Sequence, residues 1–80
     1  MKTIETNNSN YILGQNIARI RKQTGLSQAD MEDYGISRAY YGRIELGFHS
    51  LTIEKLLLIS RAFGVPLSNL FLDENGNEIL

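Results

Sequence analysis

The sequence predicts an all-α fold, a compact five-helix bundle. Three observations carry that expectation. Apolar residues recur three and four positions apart, the spacing that lines one face of a helix. Glycines at positions 25, 35, 47 and 64 interrupt the successive runs, and Asn10, Ser27, Ser37 and Thr52 stand where N-caps belong. The connections between runs are two to five residues long, which suits neighbouring helices.

The opening "TNNSN" is polar and Asn-rich, so residues 1–10 are expected as a flexible arm. The first helix is predicted over about 11–24. Leu13, Ile17 and Ile20 form its apolar stripe, Asn10 its cap and Gly25 its stop. Arg19, Arg21 and Lys22 crowd its last turns, where cations complement the helix dipole. The second helix opens at "SQAD", with Ser27 and Asp30 at capping-box spacing, and ends near Tyr34 because Gly35 interrupts it. Ser37 caps a third helix over about 38–46, closed by Gly47. The tight join between these two gives a helix-turn-helix pattern.

A fourth helix is predicted from a Thr52 cap to Phe63, stopped by Gly64. Ile53, Leu56, Leu57, Ser60 and Phe63 share one face, and Leu58, Ile59 and Ala62 widen it nearly all round. Such a helix is deeply buried, or covered on one side by a second subunit. Pro66 suits the first turn of a short fifth helix, "PLSNLF". In the tail, 73–80, Asn75-Gly76 is a tight-turn signal between apolar ends. A small hairpin, an arm on a partner and disorder all fit it.

Eighty residues make one domain, here 11–72, with a marginal core: a chain this short buries only about 60% of its unfolded surface. The absence of cysteine leaves no disulfide framework and no thiolate metal site. The N-terminus lacks the basic and apolar regions of a secretory leader, and the longest wholly apolar run is "LLLI", so a cytoplasmic chain is expected. The net charge is −1, yet residues 1–72 hold 8 Lys+Arg against 6 Asp+Glu, a balance of +2. The tail "DENGNEIL" supplies the remaining acids, so the body is mildly basic.

On the third helix, Tyr41 and Ile44 point one way and Ile36 in the turn joins them. Arg38, Ala39, Gly42, Arg43 and Leu46 share the opposite face. A glycine inside a helix costs about 1 kcal/mol against alanine. Small residues between two arginines let a helix backbone approach bases in a major groove, where arginine donates a bidentate pair to guanine. The same face also reads as a solvated surface with a chance glycine. The start of the second helix, with Ser27 and Gln28, suits a phosphate, and equally an ordinary capped helix. Arg21 and Glu45 pair as a bridge between the first and third helices. Tyr40 is either core or a contact to phosphate or a thymine methyl. His49 and Ser50, in the following loop, are phosphate candidates or simply solvated. The leucines of the fourth helix and Phe71 are core or interface.

An enzyme is not expected. There is one histidine, no metal-ligand spacing and no phosphate-cradling glycine loop; Asp30, Glu32 and Asp33 crowd one short exposed helix. No cofactor is implied.

The motifs "IARIRKQTGLSQ", "GISRAYYGRIELG" and "LTIEKLLLISRAFGVPLSNLF" cover about residues 12–72. In order and spacing they resemble the phage lambda repressor and Cro-like helix-turn-helix family, and especially its small stand-alone regulators such as restriction–modification controller proteins. The resemblance implies a homodimer on a near-palindromic stretch of double-stranded DNA. By position it implies that Gln28 contacts a backbone phosphate and braces the reading helix. Ser37, Arg38, Ala39 and Arg43 fall at DNA-facing positions. Arg21 and Glu45 match the family's inter-helix bridge, and Leu67, Leu70 and Phe71 fall in the dimerisation region. The chain departs from the pattern in three places. The segment "QADMEDYG" is one residue short, Glu32 replaces a small alanine, and Tyr41 stands at an aliphatic core position. A protein-interaction module that kept the fold without binding DNA is a rival expectation, motivated by the acidic second helix and the net charge. The DNA-binding antitoxin of a toxin–antitoxin pair is another.

Overall fold

The computed structural model describes residues 3–80, with side chains from residue 9 onward. Among these residues lie three α-helices and two 3₁₀ segments: α1 (Thr3–Thr24), η1 (Ala29–Tyr34), α2 (Arg38–Glu45), α3 (Ile53–Phe63) and η2 (Leu67–Phe71). The all-helical class stands. The expectation of five ordinary helices needs correction, because the second and fifth are 3₁₀. In η1, the amide of Met31 donates to the carbonyl of Gln28 and that of Gly35 to Glu32, both at 3.2 Å. A 3₁₀ segment rises about 2.0 Å per residue against 1.5 Å for an α-helix. The six residues of η1 therefore reach further than six residues of α-helix would.

The start of the first helix is also corrected. Helix α1 begins at Thr3, so Asn10 is an interior position and not its cap. Residues 1 and 2 of the expected arm lie outside the described residues. The polar N-terminal stretch gave no apolar stripe to read, and intrinsic propensity is only a weak guide.

Leu13, Ile17 and Ile20 of α1 meet Met31, Ile36, Tyr41, Ile44, Leu56, Ile59, Phe63 and Leu70 in one core. In α3 the buried face is narrower than expected: Leu56, Ile59, Ser60 and Phe63 are buried, whereas Ile53 is 63% and Leu57 40% exposed. Helices α1 and α2 cross at Gly14. A methyl there would collide with the carbonyl oxygen of Ile44 and lie 2.8 Å from that of Glu45.

The tail folds back as a small closed loop. Leu72 and Glu78 form an isolated antiparallel bridge, and Gly76, at φ +83°, turns the chain between them. Asp73 Oδ1 accepts the amides of Asn75 and Asn77 at 2.8 and 2.9 Å, and these bonds, Asn77 first, hold its carboxyl below the usual aspartate range. Asn16 anchors this end of the chain. Its Nδ2 donates to the carbonyls of Leu70 and Leu72, both at 2.8 Å, while Arg19 donates to Asn16 Oδ1 and to the Leu72 carbonyl. None of the described helices is long and apolar enough to cross a membrane.

Candidate nucleic-acid interface

The site is built on α2 and on what holds it. Ser37 Oγ accepts the amide of Tyr40 at 3.2 Å, capping α2 as the sequence predicts. The capping box of the preceding segment also closes: Ser27 Oγ accepts the Asp30 amide at 3.1 Å, and Asp30 Oδ2 accepts the Ser27 amide at 2.8 Å. Glu32 Oε2 accepts the backbone amide of Arg38 at 3.3 Å, which joins η1 to the first turn of α2. Two of the three acids in this segment are therefore occupied with local backbone groups.

Behind α2 sits the ion pair. Arg21 Nε donates to Glu45 Oε2 at 2.7 Å and Nη2 to Oε1 at 3.3 Å, while Nη1 donates to the carbonyl of Leu26 at 2.9 Å. Gln28 Nε2 donates to Glu45 Oε1 at 2.9 Å, and Gln15 Nε2 donates to the Glu45 carbonyl at the same distance. Burial alone would raise the carboxyl's pKa, but the hydrogen bonds from Arg21 and Gln28, with the Tyr41 hydroxyl close by, outweigh it and hold Glu45 below the ordinary glutamate value. The carboxylate in turn raises the Arg21 guanidinium, chiefly through their hydrogen bond. The Tyr41 hydroxyl lies against the same carboxylate, buried but without a hydrogen bond of good geometry. Burial, then Glu45, push that phenol far above its usual range.

The outer side of α2 presents Arg38, Ala39 and Arg43, all exposed, with Gly42 half-buried under the side chain of Gln28. They form one wall of a concavity of about 580 Å³. Gln15, Ala18 and Lys22 of α1 form the facing wall. Sequence reasoning missed these three, although their spacing along α1 puts them on one face.

Tyr40 is half-buried against the core, with its ring stacked on His49 at 4.6 Å between centroids and Lys55 Nζ 5.5 Å from its centre. His49 Nε2 accepts from Arg43 Nε at 3.3 Å. Ser50 is exposed beside this cluster. The residues expected at a dimer contact divide: Leu67 and Phe71 are half-buried, while Leu70 is 0% exposed and belongs to the chain's own core. Among the described residues no group of His, Cys, Asp and Glu is arranged to hold a metal ion.

The chain is similar in structure to the restriction-modification controller protein C.AhdI from Aeromonas hydrophila, with a TM-score of 0.78 and 26% sequence identity over 81% of this chain and 96% of that one. No curated protein sequence matches this chain. A helix-turn-helix family model matches residues 17–70, a span from the middle of α1 to the end of η2 that takes in η1, the turn and α2. The chain belongs to the helix-turn-helix family, of the XRE type.

Proposed function

We propose that this protein is a transcriptional regulator that binds double-stranded DNA sequence-specifically, as a homodimer on a near-palindromic operator, with α2 entering the major groove. Family membership and the likeness to a controller protein support a DNA-binding regulator. The observation that carries the finer reading is the outer face of α2. Two exposed arginines flank Ala39 and Gly42 there, and the helix is braced from behind by the Arg21–Glu45–Gln28 network. Arg38 and Arg43 read base edges in this account. Gln28 and Lys22, on the rim of the concavity, meet backbone phosphates. Half-sites lie about 34 Å apart, one turn of the double helix.

The rival, a protein-interaction module, draws its support from the acidic second segment and the net charge. Asp30 and Glu32 have a local task as acceptors of the Ser27 and Arg38 amides, so their presence does not by itself call for a protein partner.

Selection of duplexes from a randomised pool, followed by salt titration of the selected sequence, tests the reading. Log K should fall steeply with log salt. Arg38→Ala and Arg43→Ala should relax the base preference, each by about 1–3 kcal/mol at its own position. Failure to retain any duplex at low salt would sink the proposal. Sedimentation tests the dimer. Leu67→Glu should shift the protein toward monomer while circular dichroism stays helical, whereas Leu70→Asp would disturb the fold itself and decide nothing.

A further inference from the structure

We infer that His49 is a positioning residue: its neutral ring holds the Arg43 guanidinium in the reading orientation, and protonation of the ring releases it. The inference rests on the proposed reading of bases by Arg43. It changes the expected role of His49 from a phosphate contact to a support.

The path of the chain fixes the ring. After α2, the Phe48 amide donates to the Arg43 carbonyl and the Gly47 amide to that of Ile44, both at 3.0 Å. These paired bonds close the helix with Gly47 left-handed, at φ +82°. A side chain at Gly47 would also collide with the backbone of Tyr11, 2.7 Å from its Cα. The turn is thus clamped from two directions, and it delivers His49 to the side of Arg43. Stacking on the half-buried Tyr40, with the ring planes 28° apart, then limits rotation of the imidazole.

The hydrogen bond makes a demand on the ring. An imidazole nitrogen that accepts carries no proton, so this bond is open only to the neutral ring with its proton on Nδ1. Because Arg43 donates sideways through Nε, its two terminal nitrogens remain as the outward fork that pairs with guanine O6 and N7. Protonated imidazole has two donors and no acceptor, and Arg43 would then face an N–H. Among the described residues, Arg43 and Tyr40 of α2 are the charged and titratable groups in contact with the ring, and Lys55 of α3 lies over the Tyr40 ring beside it. None of them is a carboxylate that would compensate a charge on His49. Histidine is the side chain whose charge ordinarily changes between about pH 5 and 8, which sets the two pH values of the test.

The test measures two affinities by fluorescence anisotropy at pH 8 and pH 5.5. One duplex is selected by the protein from a randomised pool; the other is its scrambled version. In the wild type, the ratio of selected to scrambled affinity should fall at pH 5.5 by about two- to tenfold, the worth of one ordinary hydrogen bond. His49→Phe keeps a ring to stack on Tyr40 but offers no acceptor. Its ratio should already be low at pH 8 and should not change with pH. His49→Gln keeps an acceptor near the Nε2 position and does not titrate. It should hold more of the ratio than His49→Phe, equally at both pH values.

If His49 instead touches phosphate, acid strengthens binding to both duplexes alike and the ratio stays constant, which overturns the proposal. A preference that depends on Arg43 but is the same in wild type and His49→Phe overturns it too, and leaves the reading of DNA standing. A wild type without preference for the selected duplex, or one whose preference survives Arg43→Ala, removes base reading by Arg43 and this inference with it.

Discussion

The two sides of α2 are held in opposite ways. On the inner side, Tyr41, Ile44 and Glu45 are buried, and the Glu45 carboxylate gathers donors from α1 and from the start of η1. The α1 backbone at Gly14 presses directly on the carbonyls of Ile44 and Glu45. On the outer side, Arg38, Ala39 and Arg43 stand in solvent, and Arg43 leans on a loop histidine. The difference shows where rigidity is placed. The angle of the helix is set from behind, by buried packing and the Arg21–Glu45 pair. The outer residues are then free to be chosen for what they recognise, since changing them leaves the helix where it is.

Removing Glu45 tests the inner side most severely. Glu45→Ala leaves the Arg21 guanidinium, 11% exposed, without its carboxylate, and leaves Gln28 without its acceptor. Breaking a buried pair by deleting one partner costs about 3–5 kcal/mol. That is a large share of the total for a small domain, at about 0.05–0.15 kcal/mol per residue. Urea denaturation followed by circular dichroism should show the loss. Arg38→Ala and Arg43→Ala should stay within about 0.5 kcal/mol of wild type. Similar losses on both sides would break the comparison.

Acid sharpens it. Glu45 titrates below its ordinary value of 4.5 in the folded chain. An acid with a depressed folded pKa binds fewer protons folded than unfolded. Its contribution is therefore complete above the unfolded value and is lost as pH falls through the folded one. The urea midpoint should drop below about pH 4.5 in the wild type. In Glu45→Gln the midpoint should start lower and fall less steeply over that range. Asp73 adds to the slope in both proteins, so the difference between the two curves isolates Glu45. Parallel curves would show that the carboxylate carries no such linkage.

What the sequence made legible was local. Ser27, Ser37 and Thr52 all cap as expected, and Gly25, Gly35, Gly47 and Gly64 all take positive φ. These signals act over three or four residues, so they survive without knowledge of the fold. The inward face of α2 was equally plain, because Tyr41 and Ile44 share a helical period. Misses came where the deciding partner is distant. The clamp of Asn16 on the carbonyls of Leu70 and Leu72 joins opposite ends of the chain. The 3₁₀ winding of η1 differs from α only in which carbonyl each amide chooses, and the residue pattern of a six-residue segment does not distinguish the two. Leu70 belongs to the core and not to a surface because α1 and α3 close over it, and no periodicity in a five-residue segment distinguishes those two fates. Arg21 and Glu45 were paired from their places, one ending the first helix and one at the inner edge of the third, and the family resemblance pointed the same way; the two side chains meet at 2.7 Å.

The smallest effect makes the most direct contrast, because it is one substitution at two helix-interior glycines. At Gly14 an added methyl meets backbone carbonyls of α2, which cannot yield without moving the helix. Overpacking of that kind costs about 1–3 kcal/mol, partly offset by the roughly 1 kcal/mol that alanine gains over glycine in a helix. Gly14→Ala should therefore be destabilised by about 1 kcal/mol or somewhat more. At Gly42 the methyl would lie 3.5 Å from Gln28 Oε1, an ordinary contact with a side chain that can move. Gly42→Ala should instead gain up to about 1 kcal/mol, visible as a rise of a few degrees in Tm. The fold thus has no need of glycine at this position. If the outer face reads DNA, the need lies there: a methyl at 42 stands between Ala39 and Arg43 and lifts the helix off the bases. Gly42→Ala should then melt higher and bind the selected duplex more weakly, with the scrambled duplex little changed. A variant that gains stability and keeps full affinity would show that the groove never comes close enough to feel a methyl, and that Arg38 and Arg43 must reach their bases from further out.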